Sequence, residues 1–235
     1  MRRPTRLILP ALALLVLVGF GALWIFTPPA TDLQQRVAKI AAAERVPVLA
    51  PEQVPPLLAQ ALVAIEDERF YEHHGLDSIG IARATLDDIR YACFCEGGST
   101  LTEQVADMAY YAGSGRGRRK LPSMTVGLKI ELHERKQRIL ADYLTIVPMG
   151  AGLTGAQRAS CTYFHHRLDQ INLAEAAELA GMPQAPSAYD PRYHPQAARS
   201  RRSEVLRRMQ EMDYISSSQR AGANAQPVVE SGSQC

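Results

Sequence analysis

From Leu7 to Phe26 the chain runs 20 residues without a charged side chain, directly after Arg2, Arg3 and Arg6. A helix rises about 1.5 Å per residue, so such a run matches the roughly 30 Å hydrocarbon core of a bilayer. Trp24 suits an interfacial aromatic at the far end, and Pro28-Pro29 stops the helix. The arginines predict a cytoplasmic tail over 1–6, a transmembrane helix over 7–26 and an extracytoplasmic remainder. The alternative is a cleaved signal peptide. Against it stand the length of the run and the poor small-x-small cleavage site at Pro28-Pro29-Ala30.

Residues 27–47 read as a membrane-proximal linker containing a short amphipathic stretch, Leu33 to Arg45, with Pro47, Pro51, Pro55 and Pro56 spacing the chain beyond it. Residues 48–214 form one domain, and 215–235, rich in Ser, Gln, Ala and Gly, read as a disordered tail. A formal charge of +2 gives no basic field for nucleic acid, so that partner is excluded. Four cysteines in 235 residues are too few for a disulfide-built scaffold. An extracytoplasmic pair such as Cys95–Cys161 is compatible with the topology, but spacing does not assign it.

The body reads as mostly α, with no sustained alternation and no repeat. Leu57, Leu58, Leu62 and Ile65 predict a helix ending at Glu66. Ser99 is the expected N-cap of a helix containing Thr102 and Val105. One long helix is expected over 124–147, and a small-residue packing helix over 173–182. Glycine-punctuated loops are expected at 113–117 and 150–155.

Three segments have the composition of a chemical site. Glu66-Asp67-Glu68-Arg69-Phe70-Tyr71-Glu72-His73-His74-Gly75 puts a carboxylate at the end of an apolar helix, where desolvation raises its pKa and suits it to proton transfer. The plain alternative is a solvated acidic helix end. Gly97-Gly98-Ser99-Thr100-Leu101-Thr102-Glu103-Gln104 has the glycines and capping hydroxyls that expose backbone N–H groups to phosphate; a simple capped helix explains it equally. Arg116, Arg118, Arg119 and Lys120 are expected in a loop, where they suit a diphosphate, a lipid headgroup or solvent. The adjacent pairs His73-His74 and His165-His166 lack zinc spacing.

In order, these segments resemble glycosyltransferase family 51, the peptidoglycan transglycosylase domain of class A penicillin-binding proteins and monofunctional transglycosylases. The resemblance extends through Arg119-Lys120, Glu131, Lys136, Ile139-Leu140, Tyr143-Leu144, Gly150, Gly152, Gly155, Tyr163-Phe164 and Leu173 to Ala177, covering about 46–191. It implies a lysozyme-like α fold at the outer face of the bacterial inner membrane. The implied reaction polymerises lipid II onto a nascent glycan strand with release of undecaprenyl diphosphate, beside other cell-wall synthesis proteins. Carried over, Glu66 is the general base that deprotonates the acceptor 4-hydroxyl. Asp67, Phe70, His73, Ser99, Thr100, Gln104, Arg119, Lys120 and Tyr143 are the implied substrate-binding residues, with His73 ordering the loop around Glu66.

The departures from the family pattern fall at the chemistry. Asp107 stands where the family has lysine, Met108 where it has asparagine, Glu103 where it has glutamine and Ser123 where it has a second functional glutamate. Thr145 replaces an asparagine, and Pro122 is expected to disturb the backbone that presents Arg119 and Lys120. Beside a diphosphate, exchanging a cation for an anion forfeits about 4 kcal/mol of attraction at ~4 Å and an effective dielectric of 20, and adds similar repulsion. Glu103 and Asp107, four residues apart on one helix face, form an expected site for Mg²⁺ or another divalent cation that restores the charge. The competing readings are a weak or inactive homologue that binds lipid II or cell-wall partners as a scaffold, and a lysozyme-like hydrolase. No Ser-x-x-Lys is present, so no transpeptidase is expected.

Overall fold

The computed structural model describes residues 5–91, 98–112 and 116–228. Among them the protein is helical, with a single isolated antiparallel bridge between Pro148 and Thr154. Helix α1 spans Thr5–Phe26, α2 Leu33–Glu44, α3 Pro56–Glu66, α4 Ser78–Tyr91, α5 Leu101–Tyr110 and α6 Arg116–His133. They are followed by α7 Lys136–Ile146, α8 Ala156–Phe164, α9 Leu173–Gly181, α10 Pro195–Glu211 and α11 Ser217–Ala225. Side chains of Leu12, Leu14, Leu15, Val16, Leu17, Val18, Ile25 and Phe26 on α1 are exposed. No helix among the described residues is long and apolar enough to cross a membrane. Arg2, Arg3 and the side chains that open the apolar run lie outside them.

Two helical layers position the site. Helix α3 packs on α9 and α10, and α5 packs on α6 and α7. Pro56 opens α3 at its first position, where a missing N–H costs nothing, and Leu58, Ala61, Leu62 and Val63 are buried. Asn172 and Glu175 form a reciprocal capping box on α9, whose alanines let it approach α3 and α10 closely. At Gly75 (φ +87°) a Cβ would sit 2.9 Å from the Cα of Leu128, so only glycine lets this turn rest on α6.

Several expectations are corrected. Residues 124–147 do not form one helix: Arg135 turns extended (φ −80°, ψ 152°) and separates α6 from α7. The break brings the Lys136 ammonium 2.7 Å from Glu131. Arg119 and Lys120 lie on α6, not in a loop, and α6 continues through Pro122 undisturbed. The Ser123 hydroxyl donates to the Arg119 and Lys120 carbonyls in the turn where proline offers no N–H. Helix α2 is no spacer, because Leu33 and Val37 join the core and Ala41 is buried beside them on the same helix.

The tail at 215–235 also has structure in its described part. Ser216 and Gln219 cap α11, and the buried Arg202 guanidinium donates to the carbonyls of Asn224, Gln226 and Pro227. Cys161 is disulfide-bonded. Cys93, Cys95 and Cys235 lie outside the described residues.

Candidate active site

Glu66 closes α3 with a side chain 12% exposed. Its Oε2 accepts a 2.8 Å hydrogen bond from Gln104 Nε2 on α5, and its Oε1 lies 3.7 Å from the Arg201 guanidinium on α10. Gln104 is oriented in turn by the Tyr143 hydroxyl, which donates to its Oε1 at 3.2 Å. Burial pushes the Glu66 carboxyl above the ordinary glutamate range; Gln104 and Arg201 pull it down, and Asp67 pushes it up. A carboxylate so placed is held in one orientation and exchanges a proton more readily near neutral pH than a solvated glutamate does.

Asp67 has a different task. Its Oδ2 accepts the Leu101 N–H at 2.9 Å, and the His73 Nε2 lies 2.9 Å from its Oδ1. His73 also accepts from Lys136 at 3.5 Å, and Glu131 takes both Lys136 and the Thr102 hydroxyl. This buried network joins the turn after Glu66 to α5, α6 and α7, and His73 orders the turn through it. One of the free N–H groups at the start of α5 is therefore taken by the chain's own carboxylate. Thr100, not Ser99, is the N-cap: its hydroxyl accepts the Glu103 N–H and donates to Gly75. Phe70 and Tyr143 are fully buried, so they support the site from behind and offer no surface to a substrate. Burial also raises the Tyr143 hydroxyl well above its usual range, keeping it a donor.

A cleft of about 570 Å³ opens beside Gln104, lined among others by Ser99, Glu103, Asp107, Arg119, Lys120 and Ser123. A smaller hollow of about 120 Å³, also bordered by Ser99, lies against Glu66, Asp67 and Thr100. In the larger cleft Lys120 Nζ donates to Ser99 Oγ at 2.7 Å and lies 2.8 Å from Glu103 Oε1. Arg119 Nε lies 3.0 Å from Asp107. Burial raises the Glu103 carboxyl, Lys120 lowers it, and Asp107 raises it.

The divalent cation expected between Glu103 and Asp107 does not fit this arrangement. Each carboxylate already faces a cationic side chain, and among the described residues no group of three or more His, Cys, Asp or Glu could hold a metal. Ser123, turned to its own helix, adds no carboxylate to the cleft.

One residue at this centre escapes a motif-based reading: Arg201 reaches Glu66 from 135 residues away. Thr145, where the family has asparagine, accepts the Leu49 N–H at 3.1 Å and ties the stretch before α3 to α7. The available signal for Arg201 was its position four residues before Val205, on the buried face of α10.

The transglycosylase family profile matches residues 33–210. The chain belongs to this family. The transglycosylase module therefore includes α2 and stops short of α11. A Cupriavidus necator protein, named only provisionally as a transglycosylase, is 42% identical over 176 residues, 75% of this chain and 76% of its own. Penicillin-binding protein 1A of Streptococcus oralis is 37% identical over 197 residues, covering 83% of this chain and 31% of its own. That of Escherichia coli is 36% identical over 183 residues, 78% of this chain and 21% of its own. The chain thus spans less than a third of those penicillin-binding proteins.

Proposed function

We propose that the protein is a membrane-anchored peptidoglycan glycosyltransferase that polymerises lipid II at the outer face of the bacterial inner membrane. The observation that carries this reading is the Glu66 carboxylate, buried against the smaller hollow and held by Arg201 and by Gln104, which itself lines the larger cleft. Glu66 takes the proton from the acceptor 4-hydroxyl as that oxygen attacks the donor's anomeric carbon, and undecaprenyl diphosphate leaves. Lys120 and Arg119 are the cations available to the leaving diphosphate. The apolar, exposed α1 is the anchor, with the module extracytoplasmic and close to other cell-wall synthesis proteins.

A second reading has its own support. Asp107 and Glu103 engage both cations of the cleft, which weakens any hold on a diphosphate and favours a scaffold that binds lipid II with little turnover. Incubating full-length protein with labelled lipid II, with and without Mg²⁺ and beside Glu66→Gln, separates the two. Glycan strands that vanish in the variant establish the transferase, whereas lipid II binding without strands establishes the scaffold. Equal activity with and without Mg²⁺ is expected from the geometry of the two carboxylates.

A further inference from the structure

Lys129 lies on α6, nine residues beyond Lys120, and is 5% exposed. Its ammonium is committed to the end of α1: Nζ donates to the carbonyls of Trp24 at 2.7 Å, Thr27 at 2.8 Å and Pro28 at 3.0 Å. It also reaches the Thr27 hydroxyl at 2.9 Å, and stands 5.2 Å from the centre of the Trp24 ring. Thr27 in turn donates its hydroxyl to Leu23, completing the last turn of the helix. No carboxylate among the described residues forms an ion pair with Lys129.

The final carbonyls of a helix have no partners within it and carry the negative end of its dipole. A buried ammonium needs acceptors that offset its lost hydration. Each meets the other's need here, across about 100 residues of chain. Burial pulls the Lys129 amine below the usual lysine range, in keeping with a cation sustained by carbonyls alone.

We infer that Lys129 is a positioning residue: it clamps α1 rigidly to α6, so that α1 is a structural part of the catalytic module and sets the height of the cleft above the membrane. This rests on the reading of α1 as an anchor and of the cleft as the lipid II site. The same helix carries Lys129 at the clamp and Lys120 in the cleft, about 14 Å apart at 1.5 Å per residue. A diphosphate fixed to a membrane-embedded tail has a set height, so a cleft on a loose tether meets it in the reactive geometry only part of the time. A substrate free in water has no such constraint.

The test uses the full chain in nanodiscs, comparing wild type with Lys129→Met. Nitroxide labels introduced through unnatural residues at positions 25 and 132, both exposed, report the distance between α1 and α6. A narrow distribution that broadens in the variant is expected; an unchanged distribution overturns the clamp. The functional arm compares lipid II embedded in the disc with a short-chain, water-soluble analogue. Turnover of the embedded substrate is expected to fall by about tenfold or more, while the soluble analogue stays within about twofold. An equal fall with both substrates, or no fall with either, overturns the positioning role. If wild type turns over neither substrate, the transferase reading fails, and the label distances still decide the clamp.

Discussion

Asp107 lies 3.0 Å from the Nε of Arg119, so one of the two cations in the larger cleft is neutralised from within the chain. The partners are on different helices, α5 and α6, whose packing brings them together. An anionic ligand has to compete with Asp107 for that guanidinium. Replacing Asp107 by Asn removes both the competitor and a like charge. Ion pairs within reach of solvent are worth about 0.2–1 kcal/mol, so pyrophosphate is expected to bind about 1.4- to 5-fold more tightly to Asp107→Asn. Titration calorimetry on the two proteins measures this; weaker binding to the variant would remove Asp107 as a competitor.

Glu66→Gln is expected to divide activity from stability. Loss of a general base lowers turnover by about two orders of magnitude or more. Stability moves the other way, because burial raises the Glu66 carboxyl in the folded state and its ionisation works against folding at neutral pH. Wild type loses stability as the pH rises through the folded value. Below the unfolded value near 4.5 the carboxyl is protonated in both states, and this source of difference from Gln disappears. Thermal melts at pH 4 and pH 7.5 should show a stabilised variant only at the higher pH.

Arg201→Gln removes a cation that favours the ionised form of Glu66. The acid limb of the pH–rate profile is therefore expected to move to higher pH, with turnover recovering as the pH is raised. A uniform loss at every pH would instead assign Arg201 to the α9–α10 contact, where its Nε donates to the Gly181 carbonyl at 3.1 Å.

The tail is tested through Arg202, which pairs with Glu178 at 3.2 Å and holds three carbonyls after α11 begins. Arg202→Met leaves those three carbonyls without their donor, so it should lower the melting temperature and open the tail to protease. Burial pushes the Glu178 carboxyl up to about 8, with Arg202 opposing. Its contribution is full below about 4.5 and is lost as the pH rises through about 8. Glu178→Gln is expected to flatten that alkaline loss, read from melts between pH 7 and 9.

Much of this protein is determined locally and was legible without coordinates. The α3 helix ending at Glu66, the alanine-rich α9 and the turns at Gly150, Gly152 and Gly155, all at positive φ, follow from apolar spacing, capping residues and glycine's freedom. The ordered motifs were sufficient to recognise the family. Composition misled at the tail, because Ser, Gln and Ala say nothing of a buried arginine waiting on α10 for free carbonyls.

Tertiary packing decided what each charged residue faces. Asp67 accepts the Leu101 N–H at the start of α5, Asp107 and Glu103 meet Arg119 and Lys120, Arg201 reaches Glu66, and Lys129 reaches the end of α1. Helical periodicity reports which face of one segment is apolar. The partner of a charge comes from another segment, often 100 residues away, and is chosen only when helices pack and desolvation makes an unpaired charge costly.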